Sequence, residues 1–430
     1  MKMTIANSYA VYADILSEHN MFFMEEDTWL ISGAIPNTPF RIAITVTTIQ
    51  TIALLNTILP FIKELQLPFR LIKNKNLQYR LNSGSLGENE IGRVLELYPA
   101  NSEAAITIIN QLLPITKTFA GPAVQGYLKM SNCIYTTPGA SYPHMPSLSK
   151  RKPLLLNSKY LPLRRIHKSP KGDIAIAVKR KGIFPKLVVA KQGRQNMYDD
   201  DSGRTVRDRL IWEQQLLKML QGKIPVPSAL DFFEAGDDCY SIIEFIPGYN
   251  FYHLITKQYE GQRLTWAALP NKRKQILLSH FKQAVTLIKE LHLQGFVHRD
   301  VNLKNFIIDA TGKMFLIDFE LTYSLETNEP ETPFFLGMAG FVSPEQRSMC
   351  PPATSEDIFS LGALLFYVLT THHPVNFESK PLEDWITILE KLAVPQPLID
   401  LTWHCLSPLP EQRPPLNEII HTIQQQIAAL

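Results

Sequence analysis

The chain has 430 residues, 45% of them hydrophobic and 19% charged, with a formal net charge of +3. That length exceeds one ordinary core and suits two or three domains. The near-neutral balance gives no reason to expect nucleic-acid binding. Four scattered cysteines, Cys133, Cys239, Cys350 and Cys405, form no CxxC pair, which disfavours a zinc site or disulfide framework and suits a reducing cytoplasm.

The N-terminal residues lack the apolar stretch and small-residue cleavage site of a signal peptide. The uncharged run from Ile42 to Ile62 holds five threonines, a Gln, an Asn and a Pro, a costly set for a bilayer core. No membrane span is expected there. The run reads instead as a strand over Phe40–Thr47 and a helix to about Leu65, with Ile52, Leu55, Leu59 and Ile62 on one apolar face. Strands near Phe69–Lys73 and within Arg93–Pro99, and a helix near Glu103–Leu113, complete an α+β region. The Pro- and Ser-rich stretch Thr136–Pro153 reads as an interdomain linker. The expected division is an α+β domain over 1–136, a linker over 137–157 and a second domain over 158–430. In that second domain short strands come first, to about residue 246, and long helices follow from about 247. Thirteen Lys and Arg against the single acid Asp173 lie between Lys150 and Lys191. The run is either a solvated surface or a docking face for an acidic peptide.

The chemistry concentrates in LHLQGFVHRDVNLKNFIIDATGKMFLIDFE. A helix with apolar residues at Leu277, Phe281, Ala284, Ile288 and Leu291 closes at Gly295. His298-Arg299-Asp300 follows, with Asn305 five residues beyond the Asp. The runs FIID and MFLID flank a turn at Ala310-Thr311-Gly312 and predict a hairpin. That hairpin would return Asp318 to the side of Asn305. Phosphoryl transfer needs this convergence of a carboxylate that orients the substrate hydroxyl with an amide and a second carboxylate that hold Mg²⁺ on the phosphates.

On these residues the second domain resembles the protein kinase family, and the resemblance covers about the last 270 residues. It implies a bilobal fold and the cofactors ATP and Mg²⁺. Asp300 would orient the hydroxyl, Lys304 would steady the transferred phosphoryl group, and Asn305 and Asp318 would bind metal. Lys191, in LVVAKQG, would grip phosphates, with Glu213 on the next helix as its partner. IIEFIPG would be the adenine-receiving hinge, including Glu244 and Ile246. Gly172, the lone glycine of SPKGD, is either a nucleotide contact or a plain hairpin turn. Ser343-Pro344-Glu345, Asp357 in DIFSLG, and Arg413 match further family motifs. Taken singly, each of these residues has an ordinary surface or turn reading; their order along the chain favours the functional one.

Glu320 stands where the family has glycine after Asp-Phe, and its Cβ discourages a backbone flip there. Residues 318–345 hold six acids and no Lys or Arg. Arg299, which in the family often grips a phosphate on this segment, is expected to take Glu329 or Glu331 instead and so give constitutive activity. Asn302 and Lys304 each stand at an offset that could steady phosphate, so the choice of hydroxyl stays open.

Both halves together are similar to the lyase–kinase portion of class III and class IV lanthipeptide synthetases, through LPFRLI, LNSGSLGENEIGRVLELYPA, Gly121-Pro122, SPKGD and IDFE. The resemblance implies a kinase that phosphorylates Ser or Thr of a precursor peptide, a lyase that eliminates the phosphate and a cyclase that adds Cys thiols. These 430 residues contain no cyclase, so separate lyase and cyclase proteins are expected as partners, together with a peptide or protein substrate. The family's lyase has a Lys-x-His pair where this chain reads Arg41-Ile42-Ala43. Its further Lys, Arg and Lys positions are Arg70, Ser85 and Arg93 here. Elimination needs a base for the Cα proton and an acid for the leaving phosphate. Arginine, with a pKa above ~12, is a poor base and alanine donates no proton. The first domain is therefore expected to be a degenerate phospho-Ser/Thr lyase without lyase activity. Arg41, Arg70 and Arg93 are either a phosphate-binding set, suited to phosphopeptide or precursor binding, or separate surface arginines. The competing readings for the whole chain are a signalling Ser/Thr kinase with a regulatory N-terminal domain and a nucleotide-binding pseudokinase scaffold.

Overall fold

A computed structural model describes residues 11–138, 156–180, 185–335 and 337–430. Contacts divide it into two units. The first holds residues 1–210 and 231–242, the second 211–230 and 243–430. The division therefore groups the N-terminal α+β region with the β-rich start of the second domain. Most of the expected linker, 137–157, lies outside the described residues.

In the first unit, α1 (Val11–Glu18) precedes β1 (Met24–Glu25), β2 (Trp29–Ser32) and β3 (Ile42–Ile44). Then come α2 (Thr51–Glu64), β4 (Phe69–Ile72), α3 (Lys75–Asn82), β5 (Leu95–Leu97), α4 (Ser102–Ile115), β6 (Leu128–Lys129) and β7 (Ile134–Thr136). The strands form an open antiparallel sheet in the order β1-β2-β4-β5-β3-β7-β6. Because side chains alternate across a strand, Ile42, Ile44, Leu95, Leu97, Phe69 and Leu71 face the core that α1, α2 and α4 cover. Arg41, Arg70, Glu96 and Tyr98 point to the other face, where the register pairs Arg70 with Glu96 and Ala43 with Glu96. In α2 the buried stripe is Leu54, Leu55, Ile58, Leu59 and Ile62. The expected face member Ile52 is 46% exposed, since the stripe is centred one position further on.

A second open sheet, in the order β11-β12-β10-β9-β8, comes from β8 (Tyr160–His167), β9 (Ile174–Lys179), β10 (Lys186–Gly193), β11 (Ala229–Ala235) and β12 (Asp238–Glu244). α5 (Val206–Leu220) separates β10 from β11, and the division between the units passes through it after Leu210.

The second unit is mainly helical. β13 (Gly248–Asn250), α6 (Phe251–Gln258) and α7 (Asn271–Leu293) lead to β14 (Phe296–Val297), β15 (Phe306–Asp309), β16 (Met314–Leu316) and β17 (Tyr323–Ser324). α8 (Pro344–Arg347), α9 (Thr354–Thr370), α10 (Leu382–Lys391), α11 (Gln396–Cys405) and α12 (Leu416–Ala428) follow. α9 is buried on nearly every side, as an all-round apolar helix must be, and α11 packs on it while α12 packs on α7. The expected apolar residues of α7 are all buried, and Gly295 ends it at φ 79°. The fold is thus mixed α+β with open sheets. Among the described residues no helix is long and apolar enough to cross a membrane.

Candidate active site

The candidate catalytic segment begins at β14, which follows α7. Asp357, fully buried on α9, accepts hydrogen bonds from the His298 and Arg299 amides and from His292 Nε2, each at 2.8 Å. Burial pushes Asp357 up, but the His292 hydrogen bond and charge outweigh it and hold the carboxyl below its usual range. His298 is pushed down by burial, packs edge-on to Phe319 and reaches the Ile317 carbonyl. One acid in the core thus fixes the loop that follows.

The hairpin forms as expected. β15 pairs with β16, Phe306 opposite Leu316, and the Asp309 carboxylate accepts from Thr311 and Lys313 around a Gly312 at φ 86°. At its open end the Ile317 amide bonds the Asn305 carbonyl at 3.0 Å, which sets Asp318 beside Asn305. Asn305 Nδ2 donates to the Asp300 carboxylate at 2.9 Å and to its backbone carbonyl at 2.8 Å. The Met338 amide takes the other Asp300 oxygen. Burial, then the nearby Asp318 charge, push Asp300 up to about 7. Oxygen donors whose charges repel one another suit a hard divalent cation, which relieves that repulsion. Among the described residues no group of three or more His, Cys, Asp or Glu could hold a metal by itself. An amide and one carboxylate fit Mg²⁺ whose remaining ligands are phosphate oxygens and water. Asn305 and Asp318 are the residues that would hold it.

The two candidate phosphate-steadying side chains part ways. Asn302 is buried and joins the Asp300 carbonyl to the Lys304 amide, closing the loop from inside. Lys304 is exposed.

Asp318 takes φ 68°, a left-handed backbone that costs a non-glycine residue about 1 kcal/mol or more. Glu320 does not: no positive φ occurs there, so its Cβ meets no backbone penalty, and its side chain is buried rather than solvated. Phe319, fully buried, donates its amide to Glu213 Oε1 at 3.2 Å, and Trp212 Nε1 donates to the Thr322 carbonyl at 2.7 Å. The start of the 318–345 segment is thereby tied to α5.

Arg299 corrects one expectation. It is not joined to Glu329 or Glu331 but to Glu356, Nε to Oε2 at 2.9 Å, with Nη1 on the Phe334 carbonyl. Arg299 is 3% exposed and Glu356 fully buried. Glu329 is turned aside locally, its carboxylate accepting from Thr327 and its carbonyl from the Ser324 amide. At the far end of the segment, buried Ser343 caps α8, Gln346 donates to the Arg299 carbonyl, and Arg413 grips Glu345 with both Nη atoms. That fork-on-carboxylate geometry is the strongest form of ion pair available to a side chain.

In the first unit, Lys191 lies on β10 opposite Ile174 and is 7% exposed. Gly172 sits at φ 153° in the turn between β8 and β9, and a Cβ there would stand 1.7 Å from the Gln192 carbonyl oxygen. Close backbone approach therefore requires this glycine on its own account. Arg194 holds the turn through the Ser169 and Pro170 carbonyls and Asp173. In the second unit, Glu244 accepts from Ser228 through its side chain, while the Phe245 and Ile246 backbones have no hydrogen-bond partner among the described residues. Part of the basic run is internally neutralised: Arg165 pairs with Asp173, Lys159 with Asp231 and Lys168 with Glu88.

The N-terminal sheet brings Arg41, Arg70 and Arg93 to one cluster. Arg70 Nε bonds Glu96 at 2.9 Å, its Nη2 bonds Glu90 at 3.0 Å, and its guanidinium lies 4.1 Å from the Trp29 ring centre. Arg93 pairs with Glu90 at 3.3 Å and lies over Tyr127, and Arg41 lies 5.9 Å from the Tyr98 ring. Tyr98 and Tyr127 both donate to Glu96. Burial alone would raise Glu96, but Arg70 and these hydroxyls hold it below its usual range. The sequence pattern showed the arginines but neither of their carboxylates. Ser85, the fourth departure from the lyase pattern, shares a hydrogen bond with the Ser83 hydroxyl.

A β-rich lobe with a buried strand lysine, and a helical unit with an acid–amide–acid hairpin, define a phosphotransferase of the kinase type. The chain belongs to the protein kinase family, whose domain matches residues 178–423. A second family, described as RamC, N-terminal domain, matches residues 21–152, and the two together fit a lanthipeptide synthetase-like kinase with a preceding domain. Serine/threonine-protein kinase B of Synechocystis sp. is 28% identical over 256 residues, 56% of this chain and 42% of that protein. Ribosomal protein S6 kinase beta of Caenorhabditis elegans is 29% identical over 34% of this chain and 25% of its own length. The hormonally up-regulated neu tumor-associated kinase of Mus musculus is 26% identical over 53% of this chain and 28% of its own length. The chain thus spans less than half the length of the curated relatives it matches.

Proposed function

We propose that this chain is an ATP- and Mg²⁺-dependent Ser/Thr kinase whose substrate is a peptide, specifically a precursor peptide of a lanthipeptide-like pathway. The observation that carries the reading is the meeting of the Asp300 carboxylate, the Asn305 amide and Asp318 at the mouth of one hairpin. Asp300 accepts the proton of the substrate hydroxyl as that oxygen attacks the γ-phosphorus, and the bond to the β–γ bridging oxygen breaks. Bound Mg²⁺ would neutralise charge on the phosphates. Asn305 and Asp318 would hold it, exposed Lys304 steadies the moving group, and Lys191 takes the α and β phosphates. The unpartnered backbone at Ile246 favours receipt of adenine there. Gly172 serves the shape of the phosphate-facing turn.

The peptide substrate is favoured by the N-terminal domain match and by bidentate Arg413–Glu345, which keeps the 318–345 segment shaped as a platform. Loss of lyase activity is favoured by Ala43 opposite Glu96 and by Arg70: burial alone would lower it, but Glu96, Tyr98 and Glu90 hold it above its ordinary value, so it accepts no proton. The three arginines then serve as an oxyanion-binding set. Mass spectrometry of Ser/Thr-rich peptides incubated with the protein and Mg-ATP tests this. A gain of one phosphate per modified residue is expected. Loss of water would mean a working lyase, and no change with any peptide or protein would leave a nucleotide-binding scaffold.

A further inference from the structure

The arginine cluster of the N-terminal sheet is unbalanced. Arg41, Arg70 and Arg93 bring three positive charges, Glu90 and Glu96 bring two negative ones, and one positive charge is left. The two carboxylates differ in kind. Glu96 is fully buried and takes hydrogen bonds from Arg70, Tyr98 and Tyr127. Glu90 is 32% exposed, and among the described residues its carboxylate rests on Arg70 and Arg93 alone. Arg93 keeps a buried Nε with no hydrogen-bond partner among the described residues. A phosphate monoester, with about two negative charges and three acceptor oxygens, out-competes a single carboxylate for two guanidinium groups. It would displace Glu90 and leave Glu96 in place.

Glu90 is not an isolated side chain. It belongs to the short segment Glu88–Ile91, which runs from the cluster to the β8–β9 turn. Glu88 pairs with Lys168 of that turn at 2.6 Å. Pro170 of the same turn packs against Gly84, where a Cβ would stand 2.7 Å from its Cγ, and the tip of Ile91 lies beside Gly84 as well. Ile91, 3% exposed, is buried among Met197, Val206, Leu210 and Cys239, which places it against the first turns of α5. Four consecutive residues thus reach the oxyanion cluster through Glu90 and the phosphate-facing turn through Glu88, while Ile91 anchors them in the core.

We propose that Glu90 is an exchangeable carboxylate. A phosphate monoester on Arg70 and Arg93 expels it, the Glu88–Ile91 segment shifts, and the hold of Glu88 on Lys168 loosens. The phosphorylated peptide, once made, thereby weakens nucleotide binding in the same chain. This rests on the reading of the three arginines as an oxyanion-binding set and adds the regulation of that site.

The test uses the full chain with a phosphoserine peptide, its unphosphorylated twin and inorganic phosphate. Binding is followed by calorimetry and the KM for ATP by initial rates. The phosphoserine peptide is expected to bind and to raise the KM for ATP about 5-fold, the lower end of ordinary allosteric coupling, with kcat changed less than 2-fold. Reciprocity then requires a non-hydrolysable ATP analogue to weaken phosphopeptide binding by the same factor by which the phosphopeptide weakens binding of that analogue. Glu90→Gln, which removes the competitor, is expected to bind the peptide more tightly. Glu88→Gln is expected to keep binding and lose the KM shift. Failure of the phosphopeptide to bind better than its twin would defeat the oxyanion reading itself. Binding that Arg93→Gln removes, with no effect on the KM for ATP, would defeat the coupling and leave that reading standing. A KM shift that survives Arg93→Gln would place the inhibition elsewhere, and the same response to inorganic phosphate would make free phosphate, not the peptide, the regulator.

Discussion

The two units each gather like charges, and they resolve the crowding in opposite ways. In the second unit Asp300 and Asp318 stand close enough that burial and mutual repulsion lift Asp300 to about 7, a strain that a divalent cation relieves. In the first, arginines crowd together and two carboxylates are already built in to relieve them. The Arg299–Glu356 pair stands between these cases: one guanidinium on one carboxyl, both sealed from water, with burial pushing Glu356 up to about 7 against the pull of Arg299. A matched, sealed pair holds structure. An unmatched or half-open cluster awaits a ligand of the opposite sign.

The largest effect should come from removing the excess acid on the catalytic side. Asp318→Asn is expected to lower phosphate transfer by about 10³-fold or more, the scale of losing a charge clamp on a transferring phosphoryl group. Circular dichroism should stay unchanged, because Asp318 already sits in a backbone region that Asn tolerates well. Retained turnover would remove the metal assignment. It would leave the hairpin geometry without a purpose.

The sealed pair comes next. Glu356→Gln leaves Arg299 a buried charge without a full partner, a change that costs about 3–5 kcal/mol in comparable cases. The variant should unfold at lower urea and lose activity together. Because Glu356 is supplied by α9 and not by a modified residue, phosphatase-treated wild-type protein should keep full turnover. Activity that depends on prior phosphorylation would show that Arg299 exchanges Glu356 for a phosphate. That would make the pair a switch and blur the contrast drawn above.

The kinase half was legible because its motifs are short and consecutive. Asp300, Asn305 and Asp318 lie within one loop and one hairpin, so periodicity and turn residues alone bring them together. Arg299 was legible as an arginine in search of an anion, but its partner is 57 positions away on a helix that reads as pure core. Nothing local distinguishes Glu356 from Glu329. Glu96 escaped notice for a similar reason: sheet register, set across three strands, places it on Arg70, while Glu90 reaches Arg70 from the turn before β5. The grouping of the N-terminal region with the β-rich lobe was hidden in NMYDDDSGR, which has the composition of an exposed loop. There Asp199 is fully buried, bonded to the Thr48 amide and hydroxyl and to Asn82.

Asp199 gives a third, smaller prediction. Burial raises its pKa above the ordinary value of 3.8, although the Thr48 and Asn82 hydrogen bonds pull it back. The folded chain therefore binds this proton more tightly than the unfolded one. Stability should fall as pH rises from about 4 through the folded pKa, then level off. Asp199→Asn should flatten that portion of the urea midpoint against pH. Asp199→Ala should cost about 1–3 kcal/mol, since it leaves the Thr48 amide unpaired in the core.

The smallest effect should be at Lys129–Asp237, which also joins the N-terminal sheet to the β-rich lobe, at 2.7 Å. Its side chains are 33% and 57% exposed, so water and salt screen the pair and the attraction barely offsets the entropy of holding two long groups together. Lys129→Met should change the urea midpoint by no more than about 0.5 kcal/mol of stability, and less at high salt. If it instead matched Asp199→Ala, the docking would be electrostatic and peripheral. Added salt would then separate the two regions, whereas burial of Ile91 and Asp199 predicts that they stay joined.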